Sequence, residues 1–347
     1  KRRLAGVRIT TCANPEEEAQ AVALLVREAV EQPEKRVAVV TPDRALARRV
    51  VHHLDRWNIT ADDSGGRPLS QTAAGRLFLL LAEIVAEDAA PVSLMGLLGH
   101  PLVDGGMERG VWLRQLRRVE RALRGPRKAG GLAPVAAIAA RLAQRHGRVA
   151  DWYAAVDQAL SPLVALHRQD AIPMHALLDA LVESGEALCG EKLWAREDGR
   201  SLAGFVEELR RHAREAGFAL APGEAAIALR DAMEQVAVRP PYGGHARVQV
   251  LGLLESRMNR AELVICAGLN EGVWPVRGGI DALLAPPVLR ALGVPGADFR
   301  IGLSAHDLAG ALGAPEVVLS RSERDEAGPA IPSRFLLRVQ ALLGELL

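Results

Sequence analysis

The sequence predicts an α/β protein in which a parallel sheet, built from both ends of the chain, is interrupted by a large all-helical subdomain. Three observations carry this. Apolar runs and amphipathic helical periods alternate near the amino end, the βαβα rhythm of a layered parallel sheet. From about Pro91 to Val238 helical periods recur with no convincing strand among them. Strand signals return after Arg239. The expected division is residues 1–90 and 239–347 for the α/β domain, and 91–238 for the insert.

Val7 to Thr11 reads as the first strand. Asn14-Pro15-Glu16-Glu17 then supplies an N-cap, a proline at the first helical position and an acid at the third. The helix should reach Val30, with Ala21, Leu24, Leu25 and Ala29 facing inward. Val37 to Val40 is a continuous apolar strand, as in a sheet covered on both faces. Thr41-Pro42 begins the next helix, through Val50, Val51 and Leu54. In the insert, helical periods run through Trp112, Leu116, Val119 and Leu123, and then over 135–142, 152–166, 174–188, 202–213 and 225–236, separated by Gly- and Pro-containing breaks. After Arg239-Pro240-Pro241-Tyr242-Gly243-Gly244, strands are expected at 248–251, 263–267 and 317–319. Between the last two, Ser304 reads as an N-cap with Asp307 at the third helical position.

Hydrophobic residues make up 49% of the 347 and aromatics only 3%, so aliphatic side chains and alanine must fill the core. The net charge of +1 points to no partner by itself. Cys12, Cys189 and Cys266 are isolated, which excludes a CxxC metal site and fits a reducing, cytoplasmic setting. No apolar run reaches the roughly 18 residues of a membrane span, and Lys1-Arg2-Arg3 does not open a signal peptide, so no membrane partner is expected. The chain starts without Met and stops at Leu347, which suggests a piece of a longer protein.

Only Lys1, Lys35, Lys128 and Lys192 could complete a lysine-dependent motif. None is followed by Ser or Thr, so no phosphate-cradling P-loop is present. The residues two before Lys35, Lys128 and Lys192 are Pro33, Pro126 and Gly190, so the acid–x–lysine core of a two-metal nuclease is absent. This chain alone therefore lacks the residues to hydrolyse ATP or cut DNA by either chemistry, and no cofactor is expected in it. Ser304, His306 and Asp307 are spaced wrongly for a triad, because helix residues two apart diverge. His52-His53 reads as structural or solvent-facing.

The segment Val248 to Pro275, ending Gly268-Leu269-Asn270-Glu271-Gly272-Val273-Trp274-Pro275, resembles the fifth motif of UvrD/Rep-like superfamily 1 helicases. Its form is closest to that of the AddB-type helicase–nuclease subunits and their RecC relatives. Phe299 to Asp307 resembles the sixth-motif region, as does Glu316 to Ser322 followed by Gly328-Pro329 and Pro332 to Leu336. Val37 to Ala61 resembles the fourth. The insert is supported by its position and by His100-Pro101-Leu102.

The resemblance implies a second RecA-like motor domain carrying a helical subdomain, with the first motor domain before Lys1 and a nuclease domain after Leu347. It also implies double-strand-break repair, single-stranded DNA drawn from a duplex end, and an AddA-type motor subunit as partner. Active motors carry His, Gly and Glu where this chain has Leu254, Met258 and Arg260. Pro42 stands near the fourth-motif arginine, with Arg44 two residues on, and Leu312 near the sixth-motif arginine, in a run (309–314) that holds no arginine. Such arginines stabilise charge on a transferring phosphoryl group. The expected nucleotide site is thus degenerate and the lobe a pseudo-motor.

Residues 109–148 carry Arg109, Arg114, Arg117, Arg118, Arg121, Arg124, Arg127, Lys128, Arg141, Arg145 and Arg148 against the single acid Glu120. Arg114, Arg118 and Arg121 lie opposite the apolar stripe of their helix and suit DNA phosphates, or else form a solvated face. Arg257, Asn270, Glu271 and Trp274 are further candidates for DNA or partner contact, at a loop after a parallel strand where ligands bind. The alternative is a packed strand-to-loop turn. Two other functions compete: the second half of a working ATPase completed by a missing first domain, and an interaction scaffold with no DNA contact.

Overall fold

The computed structural model describes residues 6–126, 128–239, 244–277 and 284–345. The chain forms two compact units, Lys1–Gly65 with Pro241–Leu347, and Gly66–Pro240.

The first unit is α/β. Its strands are β1 (Val7–Cys12), β2 (Val37–Val40), β3 (Asp62–Asp63), β4 (Val248–Leu251), β5 (Leu263–Cys266) and β6 (Glu316–Ser322). They form one parallel sheet in the order β1-β6-β5-β2-β4-β3. β2 lies at its centre, with Val37 opposite both Val248 and Leu263. All four residues of β2 and of β5 are buried, which explains their unbroken apolar sequence.

Helices α1 (Pro15–Val30) and α2 (Arg44–Asp55) cover one face, where Val22, Val26, Leu46 and Leu54 pack on Val39, Val250 and Ile265. The short α11 (Leu253–Ser256), α13 (Ala297–Ala311) and α14 (Arg334–Glu345) belong to the other face, around Val40, Leu319, Trp274 and Phe335, and the short α12 (Pro286–Ala291) between α11 and α13 buries none of its residues. The crossovers from β1 to β2 and β2 to β3 run one way along the sheet over the first face. Those from β4 to β5 and β5 to β6 run back over the second. A single crossover hand requires this alternation, and it makes neighbouring β2 and β5 the point where the connections diverge.

Sequence and structure differ here in detail. Asn14 caps α1, its Oδ1 accepting from the amides of Glu16 and Glu17 at 3.1 and 2.9 Å. The inward face, however, is Ala19, Val22, Ala23, Val26 and Ala29, while Leu24 is exposed. Asp43, not Thr41, caps α2, accepting from the amides of Ala45 and Leu46. Ser304 does not cap a helix. α13 starts at Ala297 after Gly296, and Ser304 and Asp307 are buried on its inner side. Lys1 to Arg3, and Pro240 to Gly243 of the expected linker, lie outside the described residues.

The second unit is helical: α3 (Ala73–Ala86), α4 (Pro91–Gly99), α5 (Arg109–Leu123), α6 (Ala133–Ala143), α7 (Arg148–His167), α8 (Met174–Cys189), α9 (Arg196–Ala216) and α10 (Ala225–Glu234). Its core is Leu, Ile, Val and Ala around Trp112 and Trp152, whose rings sit 5.5 Å apart and tilted by 54°. The boundary expected at 90/91 moves to Gly65/Gly66, because α3 buries Leu77, Phe78, Leu81 and Ile84 in this core. Arg67 and Pro68 pair with Val238 and Ala237, so chain entry and exit are joined. Two-residue pairings such as this and Ile172-Pro173 with Leu220-Ala219 are too short to leave a sequence signal. Among the described residues no helix is long and apolar enough to cross a membrane.

Candidate functional site

Two places bring the expected site residues together, one in each unit. In the helical unit, α5 is fixed by its apolar stripe: Trp112, Leu116, Val119 and Leu123 are all buried, and the Trp112 indole donates to Leu98 O at 2.9 Å. At 3.6 residues per turn, Arg114, Arg117, Arg118 and Arg121 fall within an arc of about 100° on the opposite side. Arg114, Arg117 and Arg121 are exposed. Arg114 has only a 3.9 Å approach to Glu108, and among the described residues Arg117 and Arg121 have no ion-pair partner. Arg118 is half-buried and donates to Gln115 Oε1 at 2.7 Å, and Arg124 pairs with Glu120 at 2.9 Å.

Arg109 leaves the basic set. Its guanidinium turns inward to the carbonyls of Val103 and Gly99, and burial lowers its pKa. Arg141, Arg145 and Arg148 are exposed and Lys128 is half-buried, while Arg127 lies outside the described residues. Among the described residues the exposed arginines of this face meet carboxylates only at Glu108 and Glu120, an arrangement suited to phosphate oxygens.

In the α/β unit, the crevice beyond β2 and β5 is where ligands bind in open parallel sheets. Here the protein fills it. Glu18, buried on α1, accepts from Gly268 N at 2.9 Å and Ser320 Oγ at 2.7 Å. Burial raises its pKa, with nearby Asp43 adding to the effect against those two hydrogen bonds. Asn270 is buried between Ser322 Oγ, to which it donates at 3.0 Å, and Arg321, whose Nε donates to its Oδ1 at 3.2 Å. Trp274 is fully buried and donates to Ser304 O at 3.3 Å. Glu271 is held by the Arg334 side chain, which keeps its carboxyl below the usual range.

These placements correct the candidate set. Asn270 and Trp274 have no surface free to stack on or bond to DNA, and Glu271 and Arg257 are engaged by Arg334 and Asp307. Asn270, Glu271 and Trp274 form the packed turn, and Arg257 belongs to the segment after α11. Of the positions at which the resemblance expects nucleotide-contacting residues, Pro42 is half-buried just before α2 and Arg44 pairs with Asp63. Leu254 and Met258 are 66% and 93% exposed, Arg260 is exposed, and Leu312 is half-buried at the end of α13.

Sequence reading missed Glu18, although it stands four residues before Val22 on the buried stripe. It missed Arg321 too, which interrupts an otherwise uncharged strand interior. His53 is structural as expected, its Nε2 lying 2.8 Å from Glu16 Oε1. No group of His, Cys, Asp or Glu suited to a metal ion occurs among the described residues. No protein-family profile matches the chain, and no curated protein is significantly similar to it.

Proposed function

We propose that this chain is a non-catalytic, helicase-like lobe of an AddB-type complex, which guides single-stranded DNA in double-strand-break repair beside an AddA-type motor subunit. The carrying observation is the α5 face, where Arg114, Arg117 and Arg121 project from a helix locked by its buried opposite stripe. The parallel sheet with a helical unit between its third and fourth strands in chain order supports a RecA-like second motor domain. The sequence motifs between Val248 and Phe335 support the AddB-type assignment. The pseudo-motor reading rests on Pro42, Leu254, Met258, Arg260 and Leu312.

The test is a titration of the chain with fluorescein-labelled oligo-dT at several salt concentrations. Arg114→Glu/Arg117→Glu/Arg121→Glu should weaken binding more than tenfold. It should also flatten the slope of log affinity against log salt by about 2, near 0.7 for each lost phosphate contact on a single strand. An unchanged slope rejects this face as the DNA contact.

A further inference from the structure

A second surface in the α/β unit has different chemistry. A cleft of about 580 Å³ opens on the sheet face over β2, β4 and β5, with Ala38, Val40, Leu251 and Val264 as its floor. One wall is the segment 256–262. The other is the last turn of α13 and Gly313 to Pro315. The cleft exists for two reasons. The β4-to-β5 crossover carries only the four-residue α11, too short to cover the sheet. The facing wall is built from small residues, and a Cβ added at Gly310 would meet nothing within 4 Å.

The rim charges do not balance. Glu262 is matched by Arg36, which donates Nη2 at 2.9 Å and its backbone amide at 2.8 Å. Asp307 is matched by the Arg257 guanidinium. Arg260 remains, with His306 beside it as a further hydrogen-bonding group. Arg260 is exposed, and His306 reaches only to 3.9 Å from Asp307, which already serves Arg257. The stretch that runs from α11 into the first wall also exposes Leu254 and Met258. An apolar floor, a cationic rim and exposed Met and Leu are the composition of a protein-recognition surface. The described lining contains no Phe, Tyr or Trp on which a base could stack.

We propose that this cleft docks an acidic peptide segment of a partner protein, with one apolar anchor side chain on the sheet face and carboxylates at Arg260 and His306. It is independent of the α5 face.

The test selects peptides from a phage-displayed random dodecapeptide library on the full chain. Sequences that pair Asp or Glu with a Leu, Ile or Phe anchor should emerge. Arg260→Glu should weaken the selected peptides at least tenfold and Arg260→Lys much less. Gly310→Leu, which fills open space, should abolish binding while leaving the melting temperature at or above wild type. Arg117→Glu should leave peptide affinity unchanged. Selection of no peptide, of peptides without acids, or of peptides insensitive to Gly310→Leu overturns the proposal. So does an oligo-dT that binds wild type but loses its affinity in Gly310→Leu, since the cleft would then be a nucleic-acid site.

Discussion

Arg257 grips Asp307 through two parallel hydrogen bonds, Nε to Oδ1 at 2.7 Å and Nη2 to Oδ2 at 3.2 Å, and so ties the segment after α11 to the middle of α13. The Asp307 carboxylate is buried and Arg257 reaches it from the surface. The fork geometry adds to the charge, because a lysine ammonium has a single nitrogen and cannot make two parallel bonds. Arg257→Ala leaves a buried carboxylate without its partner, which costs more than the lost attraction. The expected result is a thermal midpoint several degrees below wild type, with Arg257→Lys between the two. Single-stranded DNA affinity per folded molecule should not change. A loss of affinity without a loss of stability would return Arg257 to the candidates for DNA contact.

Glu18 makes stability depend on pH in an unusual direction. Burial raises its pKa, so the folded state holds a proton that the unfolded state has released. In that window the unfolded chain binds fewer protons, and stability falls as pH rises from about 4, the ordinary glutamate value, through the raised one. Below the window the penalty disappears. Gln at this position still accepts from Gly268 N and Ser320 Oγ but cannot titrate. Urea midpoints of Glu18→Gln should therefore gain on wild type as pH increases across the window. Parallel curves for the two proteins would show that Glu18 does not control this slope.

Local patterns carried the fold well. Asn14 with Pro15, the apolar tetrad of β2 and the Trp112-Leu116-Val119-Leu123 stripe each act through neighbours within a few residues, so the sequence displays them directly. The misread features depend on contacts distant in sequence. Leu24 sits on an apolar period but is exposed, because Glu18 and Ala19 set the phase of α1 against Gly268 and Ser320. Ser304 resembles a cap, yet α13 begins seven residues earlier and buries it beneath Trp274. The candidate site divided along the same line. The exposed arginines of α5 follow from helical periodicity alone, whereas the engagement of Arg257, Asn270 and Glu271 depended on Asp307, Arg321 and Arg334, each 50 or more residues away.

Trp274 is a core residue of the α/β unit, and its substitutions should behave so. Trp274→Ala removes a fully buried indole and should cost about 3–5 kcal/mol, as measured by urea denaturation. Trp274→Phe keeps much of the bulk and loses the bond to Ser304 O, a carbonyl that stays within the hydrogen-bond ladder of α13. A smaller loss of about 1–3 kcal/mol is expected. If Trp274→Phe instead weakened DNA binding at unchanged stability, the packed-turn assignment would be wrong.

Two helical glycines should respond oppositely to alanine. Glycine inside a helix ordinarily costs about 0.5–1 kcal/mol relative to alanine, through backbone entropy. Gly302, exposed in the middle of α13, has nothing within 4 Å of an added Cβ, so Gly302→Ala should recover that amount. Gly75 lies in the first turn of α3, where Thr72 Oγ1 accepts from its amide at 3.1 Å. A Cβ there would fall 1.8 Å from the Leu69 carbonyl oxygen, a backbone atom that cannot swing aside. Relief requires moving the Leu69 turn away from α3, which overpacked cores show to cost about 1–3 kcal/mol. That exceeds the propensity gain, so Gly75→Ala should destabilise the helical unit although it improves the helix. Chemical denaturation of the two variants under one set of conditions compares them, and a stabilised Gly75→Ala would mean that the close approach of α3 to Leu69 is wrong.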